Sequence, residues 1–256
     1  MKDMINSIVF GWYPYFCLTV FLLGSLLRFD REQYTWKTGS SQLLRRRQLR
    51  WGSNLFHVGI LAIFAGHFIG LLTPIWVFDM LGVSHSFKQG LAIVAGGVAG
   101  VACFVGIALL AHRRLFDARV RAASSFGDTA ILLLLWLQLI LGLSTIFVSL
   151  GHMDGHEMVK FMNWAQGIVT LQPSAASYVA DVHPVFRAHL FLGMTLFLVF
   201  PFTRLVHVWS APVWYLGRPG YQVVRTRFSQ RPAFGRRQAG SPLGSLSARA
   251  AREPAE

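Results

Sequence analysis

The sequence has few charged residues and almost no cysteine. Charged side chains make up 14% of the 256 residues and apolar side chains 54%, whereas about a quarter of the residues of a soluble domain are charged. This composition, with a mean hydropathy of +0.47, excludes a soluble domain and indicates a membrane protein. Cys17 and Cys103 are the only cysteines and fall in different apolar segments, which excludes a disulfide framework and a thiolate metal cluster. Any iron–sulfur cluster must therefore belong to a partner.

No segment of about ten residues alternates apolar and polar side chains, so a transmembrane barrel is excluded. A cleavable signal peptide is not expected either, because Tyr13-Pro14-Tyr15 interrupts the first apolar run and no small-residue cleavage site precedes Arg28. The sequence does contain five apolar segments long enough for a helix of about 20 residues to cross a bilayer. They are about residues 9–27, 52–73, 90–111, 129–150 and 184–210. We therefore predict an all-α fold, an integral membrane bundle of five helices.

Basic residues are distributed unevenly along the chain. The formal net charge is +13, and 20 of the 24 Lys and Arg residues fall in alternate connections and in the C-terminal part. Such a bias marks the cytoplasmic side of a membrane protein, so it indicates topology rather than nucleic-acid binding. It places the N-terminus outside and the C-terminus in the cytoplasm, which five spans also require. We expect residues 1–216 to form the membrane domain and residues 217–256 a basic cytoplasmic tail, disordered beyond about residue 234.

Two further segments have recognisable patterns. The first span begins with Trp12, Tyr13 and Tyr15, aromatic residues that favour the membrane interface, and it is interpreted as an anchoring helix. Between Gly151 and His183, apolar residues recur at roughly helical spacing with polar residues between them. This pattern predicts an amphipathic helix that lies along the outer surface.

Four of the nine histidines lie well inside predicted spans: His57 and His67 in the second, His189 and His207 in the fifth. A single histidine at membrane depth is explained equally well by a hydrogen bond to a neighbouring helix. Polar residues in the bilayer are costly, however, and tend to mark ligand or ion pathways. Two helices with two histidines each therefore favour a cofactor, and facing histidines suggest haem.

The spacing of these histidines predicts two haems rather than one. His57 and His67 are ten residues apart, about 15 Å along a helix, which is too far for both to bind one iron. Because the two spans run antiparallel, we pair His57 with His207 near the cytoplasm and His67 with His189 near the outer face. Two histidines fill both axial positions of a haem b iron, which suits electron transfer.

The two histidines of the fifth predicted span are farther apart in the chain than those of the second. His189 and His207 are 18 residues apart, about 27 Å along a continuous helix. Different helix tilts and a kink at Pro201 are adjustments that would absorb part of the difference.

Haem propionates require cations, and two arginines are candidates. Arg204 lies one turn before His207 on the predicted inner side, where it would pair with a propionate. It is equally well interpreted as an arginine that sets topology and extends to the lipid headgroups. Arg187, two residues before His189, is a weaker candidate for the outer haem.

The assembled motifs resemble those of the gamma subunit family of membrane-bound respiratory nitrate reductase, a dihaem cytochrome b that oxidises quinol. The resemblance covers about residues 12 to 225. Its motifs are Tyr13-Pro-Tyr15, Gln33-Tyr-Thr-Trp36, Ser53-Asn-Leu-Phe-His57, Gly66-His67-Phe, Leu72-Thr-Pro74, Ala95-Gly-Gly97, Arg113-Arg-Leu-Phe116, His152-Met-Asp-Gly155, Trp164-Ala-Gln166, Phe186-Arg-x-His189, Gly193-Met-Thr-Leu-Phe197 and Pro201-Phe-x-Arg204-Leu-x-His207-x-Trp209-Ser.

This resemblance implies the same histidine pairs and a quinol site beside the outer haem. Lys88 would help to hold a quinone oxygen there, and Gly66 would leave room for the ring. Electrons would pass from the His67/His189 haem to the His57/His207 haem and on to an iron–sulfur (beta) subunit at the cytoplasmic face. Nitrate would be reduced on a separate molybdenum (alpha) subunit. The resemblance thus implies an electron-transfer subunit of a quinol:nitrate oxidoreductase in the bacterial cytoplasmic (inner) membrane, in contact with lipid and the quinone pool.

Three alternatives remain open from the sequence. A related dihaem subunit would feed electrons from quinol to a sulfite-reducing or heterodisulfide-type complex. A haem-free channel or transporter would use the histidines as a proton relay, but it does not explain why the histidines match in depth on two helices. A structural anchor for a soluble complex would not depend on His57 or His189 for turnover with quinol.

Overall fold

The computed structural model describes residues 1–36, 44–151, 153–211 and 217, and over these residues it is helical, without a strand. Within these residues five helices are long and apolar enough to cross a membrane, which confirms the predicted all-α fold with five helices of spanning length. In the described part of the chain the helices are α1 Lys2–Arg31, α2 Arg46–Leu72, α3 Ile75–Met80, α4 His85–Phe116, α5 Ala118–Ala122, α6 Phe126–Leu150, α7 His156–Val169 and α8 Pro184–Val199. Apart from Gly217, the predicted tail lies outside the described residues.

The spanning helices pack on one another in the series α2, α4, α6, α8 and α1. In this series α4 and α6 lie between α2, which contains His57 and His67, and α8, which contains His189. We call the end of the bundle at which α1 ends and α2 begins the His57 end, and the opposite end the His67 end. The arginine-rich connections between α1 and α2 and between α4 and α6 lie at the His57 end.

Glycine allows α2 and α4 to approach each other closely. A Cβ atom at Gly106 would overlap the backbone nitrogen of Phe56, and one at Gly59 would lie 2.7 Å from the carbonyl oxygen of Ala99. Helices in lipid have no hydrophobic drive to associate, so close backbone contact supplies much of the packing energy. The small residues of the second and third predicted spans therefore serve in part to join α2 to α4.

The fifth predicted span is not one continuous helix. The α-helix α8 ends at Val199, a short 3-10 turn follows at Phe200–Phe202, and a second 3-10 segment runs from Arg204 to Ser210. Between them Thr203 is extended, with φ −120° and ψ 178°. Pro201 accounts for the position of the interruption, because its ring removes a backbone donor and clashes with the preceding turn of a helix. The expected kink is therefore a full break.

The amphipathic helix predicted between Gly151 and His183 is present as α7. Its buried side includes Trp164, Ala165 and Ile168, which join Phe10 of α1 in the apolar core at the His67 end. Trp164 Nε1 donates a hydrogen bond to the carbonyl of Phe10 at 2.9 Å, where α1 forms a π-helical turn over Ile8–Trp12. Helix α7 thus covers the His67 end of the bundle.

Candidate functional site

The structure brings the four histidines of the spans together in two facing pairs. The ring centres of His57 and His207 are 6.4 Å apart, and those of His67 and His189 are 6.2 Å apart. An imidazole nitrogen lies about 2.0–2.1 Å from a coordinated metal and about 1.1 Å from its own ring centre, so two axial imidazoles have centres roughly 6.3 Å apart. Both pairs therefore have the separation that one metal ion between two imidazoles requires.

Hydrogen bonds on the other ring nitrogen fix the tautomer of three of these histidines. Nδ1 of His57 donates to the carbonyl of Ser53 at 2.7 Å, Nδ1 of His67 to that of Ile63 at 2.9 Å, and Nδ1 of His207 to that of Arg204 at 2.6 Å. A carbonyl oxygen only accepts, so each Nδ1 holds the proton and Nε2 keeps its lone pair. Such a bond to the far nitrogen is typical of metal-ligating histidine. The donor set therefore fits haem iron.

His189 is held differently, by helix α6. A Cβ atom at Gly142 would lie 3.0 Å from Cε1 of His189, so the absence of a side chain there creates the space for the ring. One turn earlier on α6, Gln138 Nε2 donates to the carbonyl of His189 at 3.1 Å. Among the described residues, Nδ1 of His189 is buried and has no hydrogen-bond partner. The position of this ring therefore depends on packing against α6.

The break in α8 explains how unequal spacings give matched depths. From His189 to Val199 the helix covers ten residues, the same number that separates His57 from His67 on α2. Both helices have then risen by about 15 Å. Since His207 faces His57 at 6.4 Å, the interrupted segment after Val199 must add little further depth. A continuous helix would have displaced His207 by about 12 Å more.

Lys88 is buried at the His67 end of the bundle. Its side chain is 8% exposed, and Nζ donates to the carbonyl of Gly70 at 3.0 Å and contacts Sδ of Met162 at 2.8 Å. The ammonium also lies 3.6 Å from the centre of the Phe78 ring. None of these partners is a carboxylate, and no described carboxylate forms an ion pair with Lys88. A buried cation without an ion pair to a described carboxylate is a functional-site candidate.

Open space adjoins α2 at the same end. A Cβ atom at Gly66 or Gly70 would meet nothing within 4 Å, although both glycines lie on a spanning helix. Gly66 precedes His67 in the chain, and the carbonyl of Gly70 accepts the hydrogen bond from Lys88. Lys88 thus contacts α2 at Gly70, one helical turn beyond Gly66 and three residues beyond His67.

Arg204 belongs to a small charged cluster at the His57 end. Its Nη1 lies 3.8 Å from one carboxylate oxygen of Asp128, while Nη1 of Arg114 lies 3.6 Å from the other. Two guanidinium groups share one carboxylate, so the cluster carries an excess positive charge. That excess suits a nearby anion such as a haem propionate.

Arg187, the weaker propionate candidate, is used within the protein. Its Nη1 donates to the carbonyl of Ala180 at 2.6 Å, and the guanidinium carbon lies 4.8 Å from the centre of the Phe10 ring. These contacts fix the segment that precedes α8 against α1. They give Arg187 a structural role at the His67 end.

Sequence reasoning did not identify Asp128, Gln138 or Gly142 as parts of the site. Asp128 follows Ser125 at the start of α6, where Ser125 Oγ accepts a hydrogen bond from the Asp128 backbone. The sequence signal at that position is the start of a helix. Gln138 is a polar residue in an otherwise apolar span, and this polarity is the sequence signal that its side chain contacts another helix. Nothing in the sequence around Gly142 marks it as the neighbour of His189.

Comparison with known proteins identifies chains related to this one. The nitrate reductase gamma subunit family matches residues 6–227. The respiratory nitrate reductase 1 gamma chain of Escherichia coli (strain K12) is 52% identical over 225 residues, which are 88% of this chain and 99% of that one. The nitrate reductase gamma chain of Bacillus subtilis (strain 168) is 38% identical over 224 residues, 88% of this chain and 100% of that one. A more distant similarity, 27% identity over 62% of this chain and 47% of the other, is to the Hdr-like menaquinol oxidoreductase cytochrome b-like subunit of Archaeoglobus profundus.

Proposed function

Because the chain belongs to the nitrate reductase gamma subunit family, we propose that it oxidises quinol in the membrane and delivers the electrons to the other subunits of respiratory nitrate reductase. The observation that carries this proposal is that four histidines face each other in two pairs. The ring centres are 6.4 Å apart in one pair and 6.2 Å apart in the other. A proton relay or a structural anchor does not require that separation at two depths. A metal ion between two axial imidazoles does.

We assign one haem b to His57 and His207 and a second to His67 and His189. When bound, the haems would accept electrons singly from quinol and transfer them along the bundle to a partner subunit. The carbonyl bonds to Nδ1 leave Nε2 of His57, His67 and His207 available to bind iron, and packing against Gly142 holds the His189 ring. Arg204, with the excess positive charge of its cluster, would hold a propionate at the His57 end.

Quinol would bind at the His67 end, beside Gly66 and Lys88. Among the described residues, the partners of the Lys88 ammonium are a carbonyl, a thioether and an aromatic face. A quinol oxygen is a better acceptor than the thioether or the aromatic face. A hydrogen bond from Nζ would hold that oxygen and favour its deprotonated form as the electrons leave. The open space at Gly66 would admit the quinol ring close to His67.

The charge distribution supports an orientation for these steps. Arginines are concentrated at the His57 end of the bundle, which we place at the cytoplasmic face of the bacterial inner membrane. Both protons of the quinol would then be released to the outer side, while both electrons move inward. The iron–sulfur (beta) subunit and the molybdenum (alpha) subunit would dock at the cytoplasmic face, where nitrate is reduced.

A haem assay of the purified complex tests the proposal. We expect two b haems for each copy of this chain, and loss of one haem each in His57→Ala and His189→Ala, with different absorption components missing in the two variants. Fewer than two haems in the unaltered complex would contradict the assignment. A complete absence of haem would favour the proton-relay alternative.

The quinol site is tested by Lys88→Met beside Lys88→Arg, with Lys160→Met as a matched control on α7. Lys160 is partly exposed and pairs with Glu157 at 2.7 Å, so its loss should leave quinol oxidation unchanged. We expect Lys88→Met to raise KM for quinol at least tenfold with both haems retained, and Lys88→Arg to preserve part of the affinity. An unchanged KM in Lys88→Met would remove Lys88 from the site.

A further inference from the structure

The break in α8 exposes backbone carbonyls that a helix would have used internally. In the hydrocarbon region no water is available to satisfy such groups, and each unpaired one costs several kcal/mol. Two of these carbonyls, those of Pro201 and Thr203, accept hydrogen bonds from Nη1 of Arg28, at 2.6 and 3.0 Å. The donor therefore comes from α1, a helix that lies more than 170 residues earlier in the chain.

The remaining donors of Arg28 fix the guanidinium itself. Nη2 donates to the carbonyl of Thr35 at 2.8 Å, and Nε donates to Oγ1 of Thr35 at 3.3 Å. Both atoms of Thr35 belong to the turn that follows α1. The planar fork of arginine is thus held on one side by this turn and on the other by the break, an arrangement that a lysine does not reproduce.

Two residues on the same face of α1 complete the contact. A Cβ atom at Gly24, one turn before Arg28, would lie 2.9 Å from Cγ of Pro201, so the proline ring fits only because this residue is glycine. The ring of Phe21 lies 4.9 Å from that of Phe200, edge to face, and stacks on Trp209 with ring centres 5.4 Å apart. We call Phe21, Gly24 and Arg28 the α1 clamp.

The segment that the α1 clamp holds contains a proposed haem ligand. His207 lies in the 3-10 segment Arg204–Ser210, and its Nδ1 donates to the carbonyl of Arg204 at 2.6 Å. The far end of this segment is also tied to the turn after α1, since Nε1 of Trp36 donates to Oγ of Ser210 at 2.7 Å. The direction of the His207 ring is therefore set by a backbone whose position depends on α1.

We propose that Arg28 is a positioning residue for the haem at the His57 end, because it binds the Pro201 and Thr203 carbonyls and so places His207 opposite His57. The proposal rests on the assignment of that haem under the proposed function. Its consequence is selective: the ligands of the other haem, His67 and His189, lie on α2 and on the continuous part of α8, away from the break. The first span is thus part of the electron-transfer site as well as an anchor.

The test compares Arg28→Gln with Arg28→Lys in the complete membrane complex, and uses Arg31→Gln, an exposed arginine of the same helix, as the matched control. Haem per chain is measured by absorption, and the two haems are distinguished by the electron paramagnetic resonance signals missing in His57→Ala and in His189→Ala. For Arg28→Gln we expect a twofold loss of total haem, confined to the signal that His57→Ala removes. Arg28→Lys should restore part of that signal, and Arg31→Gln should match the unaltered protein.

Equal loss of both signals, or retention of both in Arg28→Gln, would overturn the positioning role. If Arg28→Gln does not accumulate, Gly24→Ala tests the positioning role instead, because it displaces Pro201 without removing a charge. We expect it to shift the His57-end signal alone, and an unshifted signal would overturn the proposal. Failure of the haem assignment is distinguishable, because the unaltered complex would then contain fewer than two haems.

Discussion

Gly142→Ala should disturb the proposed haem at the His67 end while leaving the fold intact. The added Cβ would lie 3.0 Å from Cε1 of His189, whereas an ordinary carbon contact is about 3.5–4.0 Å. The ring, which faces His67 with ring centres 6.2 Å apart, must therefore move by a few tenths of an ångström. Overpacking of this kind costs about 1–3 kcal/mol, which corresponds to roughly 5- to 150-fold weaker haem binding.

The assay is a titration of haem release from the purified complex, followed by absorption, together with the resonance signal of each haem. Gly127→Ala is the matched control, because it lies on the same helix and its Cβ would meet only Oγ of Ser125, at 4.0 Å. We expect Gly142→Ala to lose haem faster from the His67 end and to show an altered signal there, with the other haem unchanged. If both haems of Gly142→Ala behave as in Gly127→Ala, the claim that α6 fixes the His189 ring is wrong.

Three further predictions concern other parts of the bundle. Gly106→Ala should lower stability by about 1–3 kcal/mol, because its Cβ would overlap backbone of α2, and a lower melting temperature in detergent would report this effect. Gln166→Leu removes the hydrogen bonds to the carbonyls that end α2, both 3.0 Å long, so hydrogen exchange over α7 should increase while haem content is retained. Asp128→Asn removes the carboxylate shared by two arginines, which should raise the midpoint potential of the His57-end haem by an amount on the order of tens of mV in a redox titration.

Each of these predictions has its own control and contrary result. Gly96→Ala should leave the melting temperature unchanged, because nothing lies within 4 Å of its added Cβ, and an equal effect of both glycine variants would contradict the close-packing argument. Unchanged exchange in Gln166→Leu would show that α7 is held by its apolar side alone. A lowered potential in Asp128→Asn, or the same shift in Asp154→Asn at the opposite end, would contradict the local electrostatic effect.

The five spans and the four histidines follow from the sequence because the bilayer imposes simple requirements. A span needs a long apolar run, and an imidazole inside such a run is conspicuous because it is costly there. The helix extends beyond the apolar run, since α2 begins at Arg46 whereas the predicted span begins near Gly52. Charged residues continue a helix into the headgroup region without contributing to hydropathy, so the sequence method places the ends of the apolar run rather than those of the helix.

Contacts between residues that are far apart in the chain could not be predicted from the sequence. The depth of Lys88 follows from its position before the third apolar run, but its burial against Met162 requires α7 to fold back over the bundle. The space for His189 likewise depends on a glycine of α6, some 47 residues earlier in the chain. Pattern and spacing describe one helix at a time, whereas these contacts depend on how helices are rotated about their own axes.

The interruption at Pro201 shows where this limit has a functional consequence. Proline predicts a disturbance of the helix, but a kink and a full break differ in how many carbonyls are left unpaired. In lipid, a full break is stable only if the protein provides donors, and here Arg28 provides them. From the sequence, Arg28 is one of the basic residues that set topology, and its helix is interpreted as an anchor. The same cation binds the carbonyls at the break, and the proposed position of His207 opposite His57 depends on those two hydrogen bonds.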